Sequence, residues 1–398
     1  MDNMYIYSII KAISDKIAKL KADGCFQDKK VAIHGFNYFS SMVRTAMANQ
    51  NIWVDYYALE NPTQIMEINR NLKNMESRYF NNLDAAIRPI SIENAAAIDN
   101  ILLISASKPE DINKNRITSS GFREGENFIT LHDWEKDDFS TQMMGKRHLL
   151  PEEMQQLEKD ILREYDSFCV KNNLRYWVCG GTLLGTIRHK GFIPWDDDID
   201  VFMPYKDYKR FVELYKNNES FFLGSLERKD CQEICVDSWG KLVERKTIIR
   251  EHANTYYIVH PCWIDIFVLT GMPSDSGQRS DFFKRGTEAN KAMMEAFYKS
   301  NGSIIERNKE YKKYQELFSE IDFDEAEYVG VLGTAYGDRD CTTRSVYDET
   351  LRMPFEDIEV NVPAGYKEYL DNLYGPDWME LPPPEKRQSH HNLEAYWL

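Results

Sequence analysis

Apolar positions recur along this chain with two alternating periods. In the opening stretch, MDNMYIYSIIKAISDKIAKLKADG, they fall at helical spacing and predict an amphipathic helix. KVAIHGF (Lys30 to Phe36) is a short apolar run ending at Gly35 and reads as a strand; FSSMVRTAMANQ then reads as a helix and NIWVDYYALE (Asn51 to Glu60) as a second strand. Asn61 and Pro62 supply N-cap and N1 chemistry for a further helix. NILLISAS and NFITLHDW read as later strands. Strands alternating with helices pack as parallel βαβ units, so residues 1–145 are expected to form a small Rossmann-like unit.

A dinucleotide site in such a unit needs the G-x-G-x-x-G turn, whose glycines let a pyrophosphate approach the backbone. Here the run is Gly35, Phe36, Asn37, Tyr38, Phe39, Ser40, with only the first glycine and with aromatics where the phosphate belongs. The expectation is an accessory domain with a degenerate glycine loop. Thr141 to Lys146 reads as a linker, which sets a second domain at 146–398. That domain opens with a helix near Pro151, with Glu152 and Glu153 in its first turn and Met154, Leu157, Ile161, Tyr165 and Phe168 on one face. LRYWVCGG follows as a strand ending in two glycines, and LPPPEKR reads as an extended, proline-rich turn. The fold class expected is α/β and α+β in two domains.

Composition narrows the class. A length of 398 residues favours two domains, and 42% hydrophobic residues are enough for packed cores. The formal net charge of −15 disfavours general nucleic-acid binding, because phosphate backbones repel such a chain. No run approaches the ~18–20 apolar residues of a membrane span, and the N-terminus lacks the pattern of a secretory signal. The seven cysteines are odd in number and show no framework spacing; Cys231 and Cys235 have no matching His/Cys pair. A reduced, cytoplasmic protein is expected.

The chemistry concentrates in CGGTLLGTIRHKGFIPWDDDID. Gly180, Gly181 and Thr182 stand where a strand runs into a helix, a place where backbone N–H groups can meet a phosphate. Arg188, His189 and Lys190 follow as candidate cations. Asp198 and Asp200 are spaced i, i+2 beside apolar Ile199 and Val201, so on a strand both carboxylates share a face. Two unit charges ~4 Å apart repel by about 4 kcal/mol at an effective dielectric of ~20, so the pair calls for a cation; Mg2+ or Mn2+ takes such hard oxygen ligands. A third carboxylate, Asp265, lies inside the apolar run CWIDIFVL, where it is costly unless paired or metal-bound. Three such groups suit in-line attack at phosphorus. Lys241, on a strand-like run from Gly240 to Val243, is a candidate phosphate contact.

A glycine pair, two aspartates and a third aspartate on another strand resemble the nucleotidyltransferase superfamily. RYWVCGGTLLGTIRHKGFIPWDDDIDVFMPYKDYKRF is more closely similar to the signature of the LicD family of phosphotransferases, which includes fukutin-related proteins. WIDIFVLTGMP, MPFEDIEVNVPAGYKEYLDNLYG and LPPPEKRQSHH fit the same family in the same order, from about Leu149 to the C-terminus. The resemblance implies a mixed sheet flanked by helices. It also implies transfer of a phospho-alcohol, such as phosphocholine, from a CDP-linked donor to a hydroxyl of a cell-surface glycan or teichoic-acid precursor. It places metal binding at Asp198, Asp200 and Asp265, a further acidic position at Asp196, the donor-phosphate loop at Gly180, Gly181 and Thr182, and a basic pair at Arg188 and His189. Either Asp265 or Asp196 would take the acceptor's proton. Lys386, Arg387, His390 and His391 would fold back over the site. A lipid-linked acceptor would bring the enzyme to the inner membrane face as a peripheral contact. Two rival chemistries share the aspartates: a glycosyltransferase with a D-x-D motif, and true nucleotidyl transfer. A scaffold with a dead site is the non-enzymatic alternative.

Overall fold

A computed structural model describes residues 5–35, 38–61, 63, 65–66, 88–105, 113–131, 145–228, 238–252, 257–299, 304–333, 336–387 and 393–398. The chain forms two compact units. The first comprises residues 1–147, 250–260 and 291–309, the second residues 148–249, 261–290 and 310–398. Both are mixtures of helix and strand, the α/β class expected from the alternating periods.

In the first unit, helix α1 (Tyr5–Ala22) leads to β1 (Lys30–His34), α2 (Tyr38–Asn49), β2 (Tyr56–Leu59), β3 (Pro89–Ser91), α3 (Ile92–Ala96), β4 (Ile101–Ser105), α4 (Lys114–Ser119) and β5 (Phe128–Thr130). The strands make an all-parallel sheet in the order β3-β2-β1-β4-β5. Side chains alternate across it: Val31, Ile33, Leu102 and Ile104 pack in one core, and Ala32, Ala58, Ile101 and Leu103 in another. With apolar cores on both faces, the strands read as continuous apolar runs. Gly35 ends β1 with φ +80°, a backbone that favours glycine. The second predicted strand is shorter than expected. Asn51 is left-handed at φ 56°, and the chain from Ile52 to Asp55 packs without a ladder before β2 begins. Asp55 instead exchanges hydrogen bonds with Val31, its carboxylate accepting from the Val31 N–H at 2.8 Å. The helix expected from Pro62 and the aromatic run at Phe36 fall largely outside the described residues.

The second unit opens with α5 (Pro151–Lys171), which has proline at N1 and Glu153 accepting from the Leu150 N–H. The chain continues through β6 (Trp177–Val178), α6 (Gly180–Arg188), β7 (Asp200–Pro204), α7 (Tyr205–Leu214), β8 (Phe221–Gly224), β9 (Gly240–Glu244), β10 (Thr247–His252), β11 (Tyr257–His260) and β12 (Trp263–Met272), of which β11 and the end of β10 belong to the first unit. Then follow α8 (Ser276–Lys299), α9 (Ile304–Phe318), β13 (Tyr328–Val331), β14 (Thr342–Thr343), the hairpin β15 (Thr350–Phe355) and β16 (Ile358–Pro363), α10 (Tyr366–Tyr374) and β17 (Leu393–Trp397). Seven of these strands form a mixed sheet in the order β14-β13-β12-β7-β6, with β9 also on β12 and β8 on β9. The long β12 is the axis of the sheet: it runs parallel to β7 and antiparallel to β9 and β13. Its apolar residues and those of β7 are almost wholly buried, which is why a lone aspartate within each stood out in the sequence.

Among the described residues no helix is long and apolar enough to cross a membrane. Cys25, Cys169, Cys179, Cys262 and Cys341 are free thiols, while Cys231 and Cys235 lie outside the described residues.

Candidate active site

Parallel pairing of β7 with β12 sets Asp200 beside Asp265, in register at the start of the shared ladder. The Asp265 N–H donates to the Ile199 carbonyl at 2.9 Å, and the Asp200 N–H donates to Thr182 Oγ1 at 2.9 Å. Strand β7 begins at Asp200, so Asp198 belongs to the loop before it and not to the strand expected for the pair; buried Ile199 separates the two. Asp200 nonetheless feels its neighbours. Burial, then Asp198, Asp265 and Asp196, push its carboxyl well above the ordinary range, with Lys241 opposing them. This is the response of a carboxylate that lacks a sufficient counter-cation.

Asp265 is buried and heavily solvated by the protein. Its Oδ1 accepts from Trp239 Nε1 and from Lys241 Nζ, each at 2.6 Å, and its Oδ2 accepts from Trp263 Nε1 at 2.9 Å. The Lys241 ammonium also lies 5.1 Å from the Trp263 ring centre and 5.8 Å from that of Trp239. The antiparallel register of β9 on β12 places Lys241 directly opposite Asp265. Lys241 therefore stands as the carboxylate's ion-pair partner. Its ammonium has three donors, so one can bind Asp265 while another meets a phosphate.

The glycine pair has a steric reason that the sequence did not reveal. A Cβ at Gly181 would stand 2.5 Å from Asp196 Oδ2, and one at Gly180, where φ is +53°, 3.3 Å from Asp200 Oδ2. The missing side chains let both carboxylates reach the N-terminus of α6, whose partial positive charge favours them. The Gly180 N–H donates to the Tyr369 hydroxyl at 3.2 Å, which donates to buried Asp340 at 3.3 Å. Thr182, buried, holds the backbone of Asp200.

Arg188 Nη1 donates to the carbonyls of Trp378 and Glu380 at 2.8 and 3.1 Å, fastening α6 to the segment after α10. Burial lowers its pKa, and burial together with Arg188 lowers that of His189. The His189 ring stands edge-on to Trp195 at 6.3 Å, and the Arg387 guanidinium lies 5.5 Å from the centre of the same indole. That stacking brings the segment before the C-terminus to the aspartate loop. Lys386 beside it is exposed, and His390 and His391 lie outside the described residues.

Several contributors were not among the residues predicted for the site. The β15–β16 turn pins the loop after α6: Glu356 N–H donates to the Lys190 carbonyl at 2.8 Å, and its carboxylate accepts from the Phe192 N–H at 3.2 Å. Tyr336 and Tyr374 are partly exposed, and their hydroxyl pKa values are raised by burial and then by negative neighbours that include Asp200. Glu158 of α5 is buried behind the same loop. Among the described residues no three His, Cys, Asp or Glu side chains stand in an assembled metal cage. Asp196, Asp198 and Asp200 supply the hard oxygens that a divalent cation takes, and the raised Asp200 carboxyl is the group a cation would relieve. At Asp265 a cation would compete with Lys241 for the same carboxylate.

Residues 173–261 match the family model described as LicD/FKTN/FKRP, nucleotidyltransferase domain. The match contains the glycine pair, the aspartate loop and Lys241, and ends shortly before Asp265. The chain is 28% identical over 257 residues to the lipopolysaccharide cholinephosphotransferase LicD of Haemophilus influenzae, covering 60% of this chain and 95% of the relative. It is also 29% identical over 113 residues to an uncharacterized protein of Rickettsia prowazekii (28% and 42% of the two chains). An uncharacterized protein of Rickettsia typhi is 32% identical over 120 residues (28% and 36%). The chain is a phosphotransferase enzyme. Within that class it carries a LicD-family domain at residues 173–261.

Proposed function

We infer that this enzyme transfers a phospho-alcohol, phosphocholine first among the candidates, from a CDP-linked donor to a hydroxyl of a cell-surface glycan or its lipid-linked precursor. The observation that carries this reading is the side-by-side register of Asp200 and Asp265 next to the glycine-opened end of α6. The similarity to a lipopolysaccharide cholinephosphotransferase supports the choice of group and acceptor. A lipopolysaccharide-type or teichoic-acid precursor at the inner membrane face is the acceptor class we favour. Residues 1–145 serve as an accessory unit.

Asp198 and Asp200, with Asp265 in competition with Lys241, would hold Mg2+ or Mn2+. When bound, the cation supplies charge neutralisation at the donor pyrophosphate and the leaving CMP. The chain's own residues do the rest. The carboxylate loop, seated on α6, aligns the distal phosphorus; Lys241 and Arg387 on Trp195 face the donor's charge. Asp196, whose carboxylate stands over Gly181 at the N-terminus of α6, serves as the base. As the acceptor oxygen bonds to phosphorus, its proton passes to Asp196, the phosphorus–oxygen bond to CMP breaks, and CMP leaves with the electron pair.

The direct test is incubation with CDP-choline, Mg2+ and an undecorated lipopolysaccharide acceptor, with both products analysed by mass spectrometry. Release of CMP with gain of one phosphocholine unit by the acceptor is expected. Pyrophosphate release from a nucleoside triphosphate would indicate nucleotidyl transfer, and turnover of a sugar nucleotide alone would indicate a glycosyltransferase.

A further inference from the structure

Helix α6 begins without a cap of its own. Cys179 precedes it, and its side chain makes no capping hydrogen bond among the described residues. Gly180 is left-handed at φ 53°, so neither residue fixes the first turn by itself. The partner comes from far along the chain. The Gly180 N–H donates to the Tyr369 hydroxyl at 3.2 Å, and that hydroxyl donates to Asp340 Oδ1 at 3.3 Å. Tyr369 and Asp340 are both buried. Tyr369 sits on α10, which packs against α6, and its ring stands edge-on to Phe202 of β7 at 5.7 Å. Asn372, one turn further along α10, donates to the carbonyls of Arg339 and Cys341 at 2.9 and 2.8 Å and so fixes the segment that carries Asp340.

An ordinary N-cap side chain accepts from the N–H at the second or third helical position. In α6 those positions are Gly181 and Thr182, two of the three residues expected to meet the donor phosphate. Tyr369 accepts from Gly180 instead, so it steadies the helix start without taking either of them. A phenylalanine at 369 would fill the same space and spare the burial of a hydroxyl; the contact with Gly180 gives that hydroxyl its use. We propose that Tyr369, held by Asp340, is a positioning residue that caps α6 from outside the helix and keeps the Gly180–Thr182 turn set for a phosphate group. The inference rests on the proposed reading of that turn as the donor-phosphate loop. Tyr369 acts through the backbone of Gly180 and not on the reacting atoms.

The test compares wild type, Tyr369→Phe, Asp340→Leu and Asp340→Asn in the full chain, with melting temperatures to establish that each folds. Two readouts are taken: amide hydrogen exchange across residues 177–188, and steady-state kinetics with CDP-choline and the acceptor. Exchange at the start of α6 should be faster by about fivefold or more in Tyr369→Phe and Asp340→Leu. Asp340→Asn still offers an oxygen to the hydroxyl and should exchange as wild type. Tyr369→Phe and Asp340→Leu should also raise KM for CDP-choline by about threefold or more and leave KM for the acceptor unchanged. Unchanged exchange in Tyr369→Phe would overturn the inference whatever the kinetics. Faster exchange with an unchanged donor KM would overturn the link to the phosphate. Wild-type protein that does not turn over CDP-choline would overturn the donor reading, and the exchange data would still decide the cap.

Discussion

Lys241 and Asp265 face each other across the β9–β12 ladder, the ammonium 2.6 Å from the carboxylate and flanked by two indoles. The pair gives Asp265 a resident counter-ion, whereas Asp200, its neighbour on β7, depends on charge from elsewhere. Lys241→Met should therefore lower the melting temperature of the metal-free enzyme, by about 1–3 kcal/mol in stability, since a charge-assisted hydrogen bond to a mostly buried carboxylate is lost. The same change should raise divalent-cation affinity, because the competitor for Asp265 is gone, and should reduce turnover. Calorimetry with Mg2+ beside a steady-state assay checks the split; a fall in cation affinity would show that Lys241 does not compete for Asp265.

Asp200→Asn should reduce turnover by about 10²-fold or more while leaving the metal-free melting temperature unchanged or higher. The amide removes a charge that burial and three aspartates oppose. Scanning calorimetry in chelator and a CMP-release assay measure both halves. Retained turnover would exclude Asp200 from the chemistry.

Thr182→Val keeps shape but removes the acceptor for the Asp200 N–H. An amide left unpaired inside the protein costs about 1–3 kcal/mol, so a clear fall in melting temperature is expected, together with lower turnover from a displaced Asp200. A variant as stable as wild type would mean that another acceptor replaces the hydroxyl.

Gly181→Ala is sterically directed at one atom, Asp196 Oδ2. Alanine favours the helix by up to about 1 kcal/mol, so little stability should be lost while turnover falls at least tenfold, because the carboxylate must move. Unchanged kinetics would remove Asp196 as the base.

The contribution of Asp200 to metal-free stability should fall as pH rises above the ordinary aspartate value of 3.8. Asp200 keeps its proton to higher pH in the folded chain than in the unfolded one, so across that window the folded chain binds more protons and each pH step favours unfolding. Glu158 acts in the same direction. As pH rises above that value, the melting temperatures of Asp200→Asn and of Glu158→Gln should gain on that of wild type. Equal slopes would contradict the raised carboxyls.

Local period and local chemistry carried the parts of the fold that depend on neighbours in sequence. The α5 face from Met154 to Tyr165 and the β12 aspartate were legible because each breaks or keeps a period. The extent of β2 and the start of β7 were not, since Asn51 takes a left-handed turn and residues 196–199 lie outside the strand that begins at Asp200. The glycine pair was visible, but its steric reason was not: Asp196 and Asp200 approach Gly181 and Gly180 only once β7 folds back beside α6. Glu356, Tyr336 and Tyr374 come from distant segments by tertiary packing; Glu356 and Tyr374 lie in the family-like run MPFEDIEVNVPAGYKEYLDNLYG, but no chemical pattern singled out those positions. Lys241 carried a recognisable charge, yet its ion pair with Asp265 is a matter of strand register.

If the crowded aspartates hold a cation for a CDP-linked donor, calorimetric titration with CDP-choline will show binding that requires Mg2+ and disappears in Asp198→Asn. Binding of equal strength without the metal, or undiminished in Asp198→Asn, would contradict it.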